Sequence, residues 1–271
     1  MSKFRISDYP TRMPIVCYRF DSYYTPTSVS VEIDYFIINV AFFHWIENDF
    51  RATGHQQRFA LEDFERFINW MIVTKDFVAL KAFEDSVTRS KQLPLWMKSM
   101  LLGKMKYEIG YSYRGTGEAQ TVTDEGWEKL EEHCTAAQDD FTEAYRLQPQ
   151  FPESSAAMID IARLGYADED EDYWFEKSIE HEPEFLLAYH QLVWGLYPRW
   201  GGSTEEMVDF VLNNSKDSDS DCVAFLLPRE IFHWRNNGEF DPDQWEELVR
   251  NPKVNQEALA ALDKILSLIH I

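Results

Sequence analysis

Glu230 and His233 stand three residues apart, one turn of a helix. A carboxylate and an imidazole at that spacing make half of a di-iron carboxylate site. The other half is a second Glu-x-x-His with further glutamates from partner helices. No second copy occurs, so the pair reads as two surface residues. Asp217, Asp219 and Asp221 alternate like the opening of a calcium loop. Cys222 stands where that loop needs a glycine, and Pro228 where it needs a glutamate, which leaves a solvated linker. The acidic run from Asp168 to Asp172 reads as a solvated turn between paired helices.

The remaining chemistry-bearing residues are dispersed. Seven histidines are scattered, and none belongs to a His-Glu-x-x-His. There is no Gly-x-Ser-x-Gly, Walker loop or Gly-x-Gly-x-x-Gly, and the Gly-Thr-Gly at 115–117 has no strand before it to form a phosphate cradle. Cys17, Cys134 and Cys222 lie far apart without a CxxC, as expected of ordinary thiols in a reducing cytoplasm. These absences lead to the expectation of a protein that is not an enzyme and takes no cofactor or metal. An enzyme with an unrecognised site is kept as an alternative.

One loop could bind. Pro198-Arg199-Trp200-Gly201-Gly202-Ser203 sets an arginine and a tryptophan beside two glycines, which suits a recognition loop. It equally suits a structural turn, in which the glycines take positive φ, Trp200 fills a core gap and Ser203 caps the next helix.

The elements that must position these residues are helical. Only 11 Gly and 11 Pro occur in 271 residues, while 45% are hydrophobic and 15% aromatic. That is too few turn formers for an all-β fold and enough apolar surface for a large core. The net charge of −21 would be repelled by phosphate backbones and anionic membranes, so neither nucleic acid nor membrane is expected as a partner. No stretch is long and apolar enough for a signal peptide or a membrane span, and the cytoplasm is the expected location.

Residues 1–30 mix Pro, Tyr, Ser and Thr without a helical period and read as irregular. Helical spacing predicts helices from Val31 to about Asp49, Leu61 to about Thr74 and Phe77 to about Arg89, with a polar loop at Arg51–Arg58. Pro94 opens another through Trp96 to Ile109. Thr123 or Asp124 can cap one running to Leu147, and Ser203-x-x-Glu206 has the form of a capping box. Further helices are expected over Cys222–Trp234, Pro242–Val249 and Asn255–Leu266. The last residues, Leu266 to Ile271, read as a translated sequencing adapter. They are expected to stand outside the fold, with the natural protein continuing past them.

An internal repeat organises the middle. Phe141, Ala144, Pro149 and Phe151 recur as Phe175, Ser178, Pro183 and Phe185, all 34 residues on, and Ser155 and Met158 recur as Tyr189 and Leu192. Thirty-four is the tetratricopeptide period. The small residue lets two helices approach, the phenylalanine fills the seam, and the proline stops the second helix. The expected fold is all-α: a tetratricopeptide-like α-α superhelix over about 96–214, with C-terminal helices at 222–265, in one helical domain spanning 31–265.

Arg114 to Asn214 resembles a bacterial family known as a domain of unknown function, numbered 4034. The residues that carry the likeness are Arg114-Gly115-Thr116-Gly117, Thr121-Val122-Thr123 with Trp127, Trp174-Phe175-Glu176-Lys177, and the block from Pro198 to Ser203 with Glu205-Glu206-Met207. Lys75-Asp76-Phe77 and Leu80 fit more loosely, which extends the resemblance to about two-thirds of the chain. The resemblance implies the helical repeat fold and no reaction.

The expected function is protein–protein interaction, with a peptide or protein segment held on the concave face. Ligand contacts in such repeats come from the first helix of each pair. This places Lys104, Tyr107, Tyr111 and Arg114 in the first unit, Glu153, Asp160 and Arg163 in the second, and His190, Trp194 and Tyr197 in the third, with Arg199 and Trp200 beyond. Lys104, Arg114 and Arg163 would hold a carboxylate. Alternatively, N-terminal helices fill the groove. A toxin-neutralising or accessory protein encoded beside its partner is the other functional class.

Overall fold

Apolar residues at a period near 3.6 recur along nearly the whole chain, and the computed structural model, which describes residues 43–48, 50–216, 221–237 and 240–269, is built from α-helices. No strand occurs among the described residues. The irregular segment expected over 1–30 lies outside them, as does most of the helix expected from Val31; residues 43–48 of that helix are helical. The helices fall into two compact units, Met1–Pro149 and Gln150–Ile271.

The first unit contains α1 (His55–Val73), α2 (Phe77–Arg89), α3 (Leu95–Arg114) and α4 (Asp124–Leu147). On α1, Phe64, Phe67, Ile68 and Met71 form one stripe, and all are buried. Phe64 and Phe67 meet Phe83 of α2 at ring distances of 6.1 and 5.9 Å. The buried Ser90 hydroxyl donates to the Ile46 carbonyl at 2.7 Å, fastening the 43–48 turn to the end of α2. α1 starts earlier than its apolar period predicts. Its polar first turn is secured from outside the helix: Gln57 donates to the Ala52 carbonyl at 2.9 Å and accepts from the Trp96 indole N–H at 3.0 Å.

Helices α3 and α4 pair closely. Gly103 and Gly110 are two turns apart, on one face of α3. A Cβ on Gly110 would lie 3.0 Å from the His133 Cβ and 3.5 Å from the Leu130 backbone. Leu130, Cys134, Ala137, Phe141 and Ala144 form the buried stripe of α4. Thr123 caps α4, its hydroxyl accepting from the Gly126 N–H at 3.0 Å.

The second unit contains α5 (Pro152–Arg163), α6 (Glu171–Ile179), α7 (Leu186–Gly195), α8 (Thr204–Lys216), α9 (Asp221–Ala224), α10 (Leu226–Asn237), α11 (Pro242–Arg250) and α12 (Pro252–Ile269). Phe175 of α6 stands edge-on to Tyr189 of α7 and Phe210 of α8, at 5.0 and 5.6 Å. Ser203 caps α8, accepting from the Glu206 N–H at 3.1 Å. Asp241 opens α11 with a capping box. α12 runs three residues beyond Leu266, to Ile269. Of the linker expected from Asp217, residues 217–220 lie outside the described residues and Asp221 begins α9.

Burial follows the 34-residue step. Phe141 and Phe175 are both buried, as are Ala144 and Ser178, Ser155 and Tyr189, and Met158 and Leu192. Pro149 and Pro183 stand just past the ends of α4 and α6. Among the described residues, no helix is long and apolar enough to cross a membrane.

Candidate functional site

The residues expected to form one binding strip divide between the two units. Lys104, Tyr107, Tyr111 and Arg114 lie in the first. Their spacing of three and four puts them on one side of α3. Tyr107 and Tyr111 have ring centroids 5.1 Å apart. Lys104 lies 5.5 Å over Tyr107 and is ion-paired with Glu108 at 3.0 Å. Arg114 stands 5.9 Å from the Tyr111 ring and 5.5 Å from the Trp127 ring, and donates to the carbonyls of Gly115 and Gly117 at 2.9 and 3.0 Å. It therefore clasps the loop that follows α3, and its Nη1 faces the chain's own backbone.

In the second unit, α5, α6 and α7 meet at Arg163, whose side chain is 5% exposed. Its guanidinium bonds Asp160 at 2.8 Å, Glu171 at 3.3 Å and the Gln191 carbonyl, while the Gln191 amide donates to Asp160 at 3.0 Å. Burial pushes the Glu171 carboxyl up against the opposing pull of Arg163. Asp160 and Arg163 thus form an internal tie between helices. Glu171 belongs to that tie, not to the solvated turn expected of the 168–172 run. Asp170, beside it, caps α6 by accepting from the Tyr173 N–H at 2.8 Å.

The other expected residues gather around Trp194. The His190 and Tyr197 rings lie 6.4 and 4.9 Å from it, and the exposed Arg199 stacks on both Trp194 and Tyr197, at 4.9 and 5.4 Å. Tyr197 is buried, whereas His190, Trp194 and Trp200 are half-buried. Two side chains read from sequence as a surface pair complete the cluster. Glu230 of α10 is 0% exposed, and its carboxylate lies 3.1 Å from His190 Nδ1 and 3.2 Å from Arg229 Nη1. A carboxylate oxygen accepts, so this contact is a hydrogen bond in the tautomer with the His190 proton on Nδ1. The His233 ring stands edge-on to His190 at 4.7 Å and lies 6.2 Å from Trp194. The surface reading of Glu230 is corrected: α10 packs on α7 with that residue between them. A sequence signal was present, since Glu230 is the lone acid between Asp221 and Glu239. No group of three or more His, Cys, Asp or Glu residues suited to a metal occurs among the described residues.

The loop after Trp194 has a steric reason for its glycines. Gly201 has φ of 100°, and a Cβ on Gly202 would fall within 2.2 Å of the Leu196 carbonyl oxygen. The turn thus requires glycine at both positions, and it holds Arg199 over the aromatic pair.

Residues 92–221 match the model of a family described as a domain of unknown function (DUF4034). The match takes in α3, α4 and the helices through α8, and ends at the start of α9. It is narrower than the two-thirds of the chain expected, leaving Lys75-Asp76-Phe77 and Leu80 outside. No curated protein and no solved structure matches the chain.

Proposed function

We propose that this chain is a tetratricopeptide-like interaction module that holds a segment of a partner protein, with the ledge of His190, Trp194, Arg199 and Trp200 as its main contact surface. The observation that carries the reading is the 34-residue step in burial. Residues at equivalent positions of successive helix pairs are buried alike, as stacked repeats require. What such a scaffold leaves half-exposed on α7 and its following turn is aromatic and cationic, the composition enriched at binding hot spots. Lys104, Tyr107 and Tyr111 form a second contact surface in the first unit. Arg163, Asp160, Arg114 and Tyr197 support these surfaces from beneath and do not touch the ligand.

The test is capture of the native partner by the intact protein, compared with the Trp194→Ala, Arg199→Glu double variant. Reduced capture with an unchanged circular-dichroism spectrum supports the reading. Undiminished capture by the folded variant removes this ledge from the binding site.

A further inference from the structure

The second unit is the acidic part of the molecule: residues 150–271 contain 25 Asp and Glu against 9 Lys and Arg. One helix departs from that pattern. Between Asp221 and Glu239 the lone carboxylate is Glu230, and it is fully buried. The outer face of α10 therefore bears no acid of its own. At its centre stands Phe232, 72% exposed, the most exposed large aromatic among the described residues of this unit. Pro228, Arg229, Arg235 and Asn236 lie three or four residues to either side of it, on the same face of the helix.

Both arginines are held in place. Arg229 donates to Glu230 at 3.2 Å, and Arg235 lies 5.3 Å over the Trp245 ring of α11. A guanidinium has five N–H donors, so the bond to Glu230 uses only part of the donor capacity of the partly exposed Arg229. Two arginines with restricted rotamers beside a protruding phenyl ring lose little conformational freedom when they bind. Glu230 offsets part of the Arg229 charge, so the face owes its positive charge mainly to Arg235; set in a strongly negative unit, that charge would repel a basic segment locally and attract an acidic one.

We infer that the Arg229–Phe232–Arg235 face of α10 is a further docking surface, whose occupant is an acidic segment with an apolar side chain packed on Phe232. This surface lies on a different helix from the Trp194 ledge, with which it shares the anchor Glu230, and the inference does not rest on that ledge. Three labelled amphipathic peptides of equal length test it, identical in their leucines and differing only in Glu, Gln or Lys at the polar positions. The Glu peptide should bind the intact protein best, and Phe232→Ser and Arg235→Glu should each weaken it about tenfold, the effect of losing one hot-spot contact. Arg235→Glu should also shift preference toward the Lys peptide. Equal binding of the Glu and Lys peptides overturns the inference, as does Glu-peptide binding that Phe232→Ser leaves unmoved, or no binding by any of the three. Concentration-dependent dimerisation abolished by Phe232→Ser in sedimentation would assign the face to a second copy of the chain and overturn it also.

Discussion

The ring of Phe141 occupies the space that a side chain on Gly103 would need. A Cβ built on Gly103 comes within 2.7 Å of two ring carbons, and real Cβ atoms do not approach that closely. Helices α3 and α4 therefore close on each other because one residue has no side chain and the other has a large flat one. The ring is 1% exposed.

From this follows a paired prediction on stability. Gly103→Ala should cost about 1–3 kcal/mol through overpacking, despite alanine's better helix propensity, and Phe141→Ala about 3–5 kcal/mol through the cavity it leaves. The two changes should not add, because removing the ring makes room for the methyl. Urea denaturation of the single and double variants measures the coupling. Strict additivity would show that the two residues do not share one packing site.

The turn after α7 makes a second prediction. Gly202→Ala forces a Cβ onto the Leu196 backbone, which cannot yield as a flexible side chain could. A loss of about 1–3 kcal/mol is expected, visible as a lower thermal midpoint. Full retention of stability would mean that the loop shifts freely and that its glycines are not structural.

Much of this architecture is legible in the sequence, because its signals are local. The 34-residue step, the apolar stripe of α4 and the caps at Thr123 and Ser203 need only neighbouring residues to be recognised. The interior polar groups are another matter. Arg163 has the right spacing to face a groove, but its acceptors come from three helices: Asp160, Glu171 and Gln191. Glu230 looks like a surface residue until α7 brings His190 to it. The early start of α1 likewise depends on Trp96, 39 residues from the Gln57 that it bonds.

Titration offers a third prediction. Burial raises the Glu171 carboxyl despite Arg163. A raised carboxyl takes up a proton more readily when folded than when unfolded. Its stabilising contribution is complete below the ordinary glutamate value of about 4.3 and is lost as pH rises through the raised value. Glu171→Gln cannot titrate. The parent should therefore gain on the variant as pH falls from neutral into the weakly acidic range. Exposed pairs such as Lys177–Glu180 and Arg146–Glu143, which hold their carboxyls low, act in the opposite direction but are common to both proteins and cancel. Urea midpoints that stay parallel across the range would mean that Glu171 is not perturbed.

The buried Glu230 supports a fourth. Glu230→Ala leaves His190 and Arg229 without their shared acceptor and should cost about 3–5 kcal/mol, as for breaking a buried ion pair. Glu230→Gln keeps an acceptor oxygen for the His190 Nδ1–H and should cost less. Proton resonances of the His190 ring should shift more in the Ala variant than in the Gln variant. Equal losses in both would indicate that the charge, not the hydrogen bond, holds α7 to α10.

Two arginines thirty-six residues apart in the chain separate framework from contact surface. Arg163 lies inside the α5–α7 junction, with acceptors on every side. Removing it strands Asp160 and Glu171 in a partly dry site, so Arg163→Ala should lower stability by about 3–5 kcal/mol. Arg199 is exposed and rests on Trp194 and Tyr197 from outside. A substitution there should change stability by no more than about 0.5 kcal/mol, the range for surface sites. Under the proposed function, partner capture should show the reverse order. Below its melting transition, any Arg163→Ala protein that remains folded should still capture the partner, whereas Arg199→Glu should lose capture while melting at the parental temperature. The decisive comparison is capture per folded molecule, with the folded fraction measured by circular dichroism on the same samples. Capture that falls for Arg163→Ala in excess of its unfolded fraction would return that residue to the contact surface. Capture unchanged by Arg199→Glu would remove the Trp194 ledge from it.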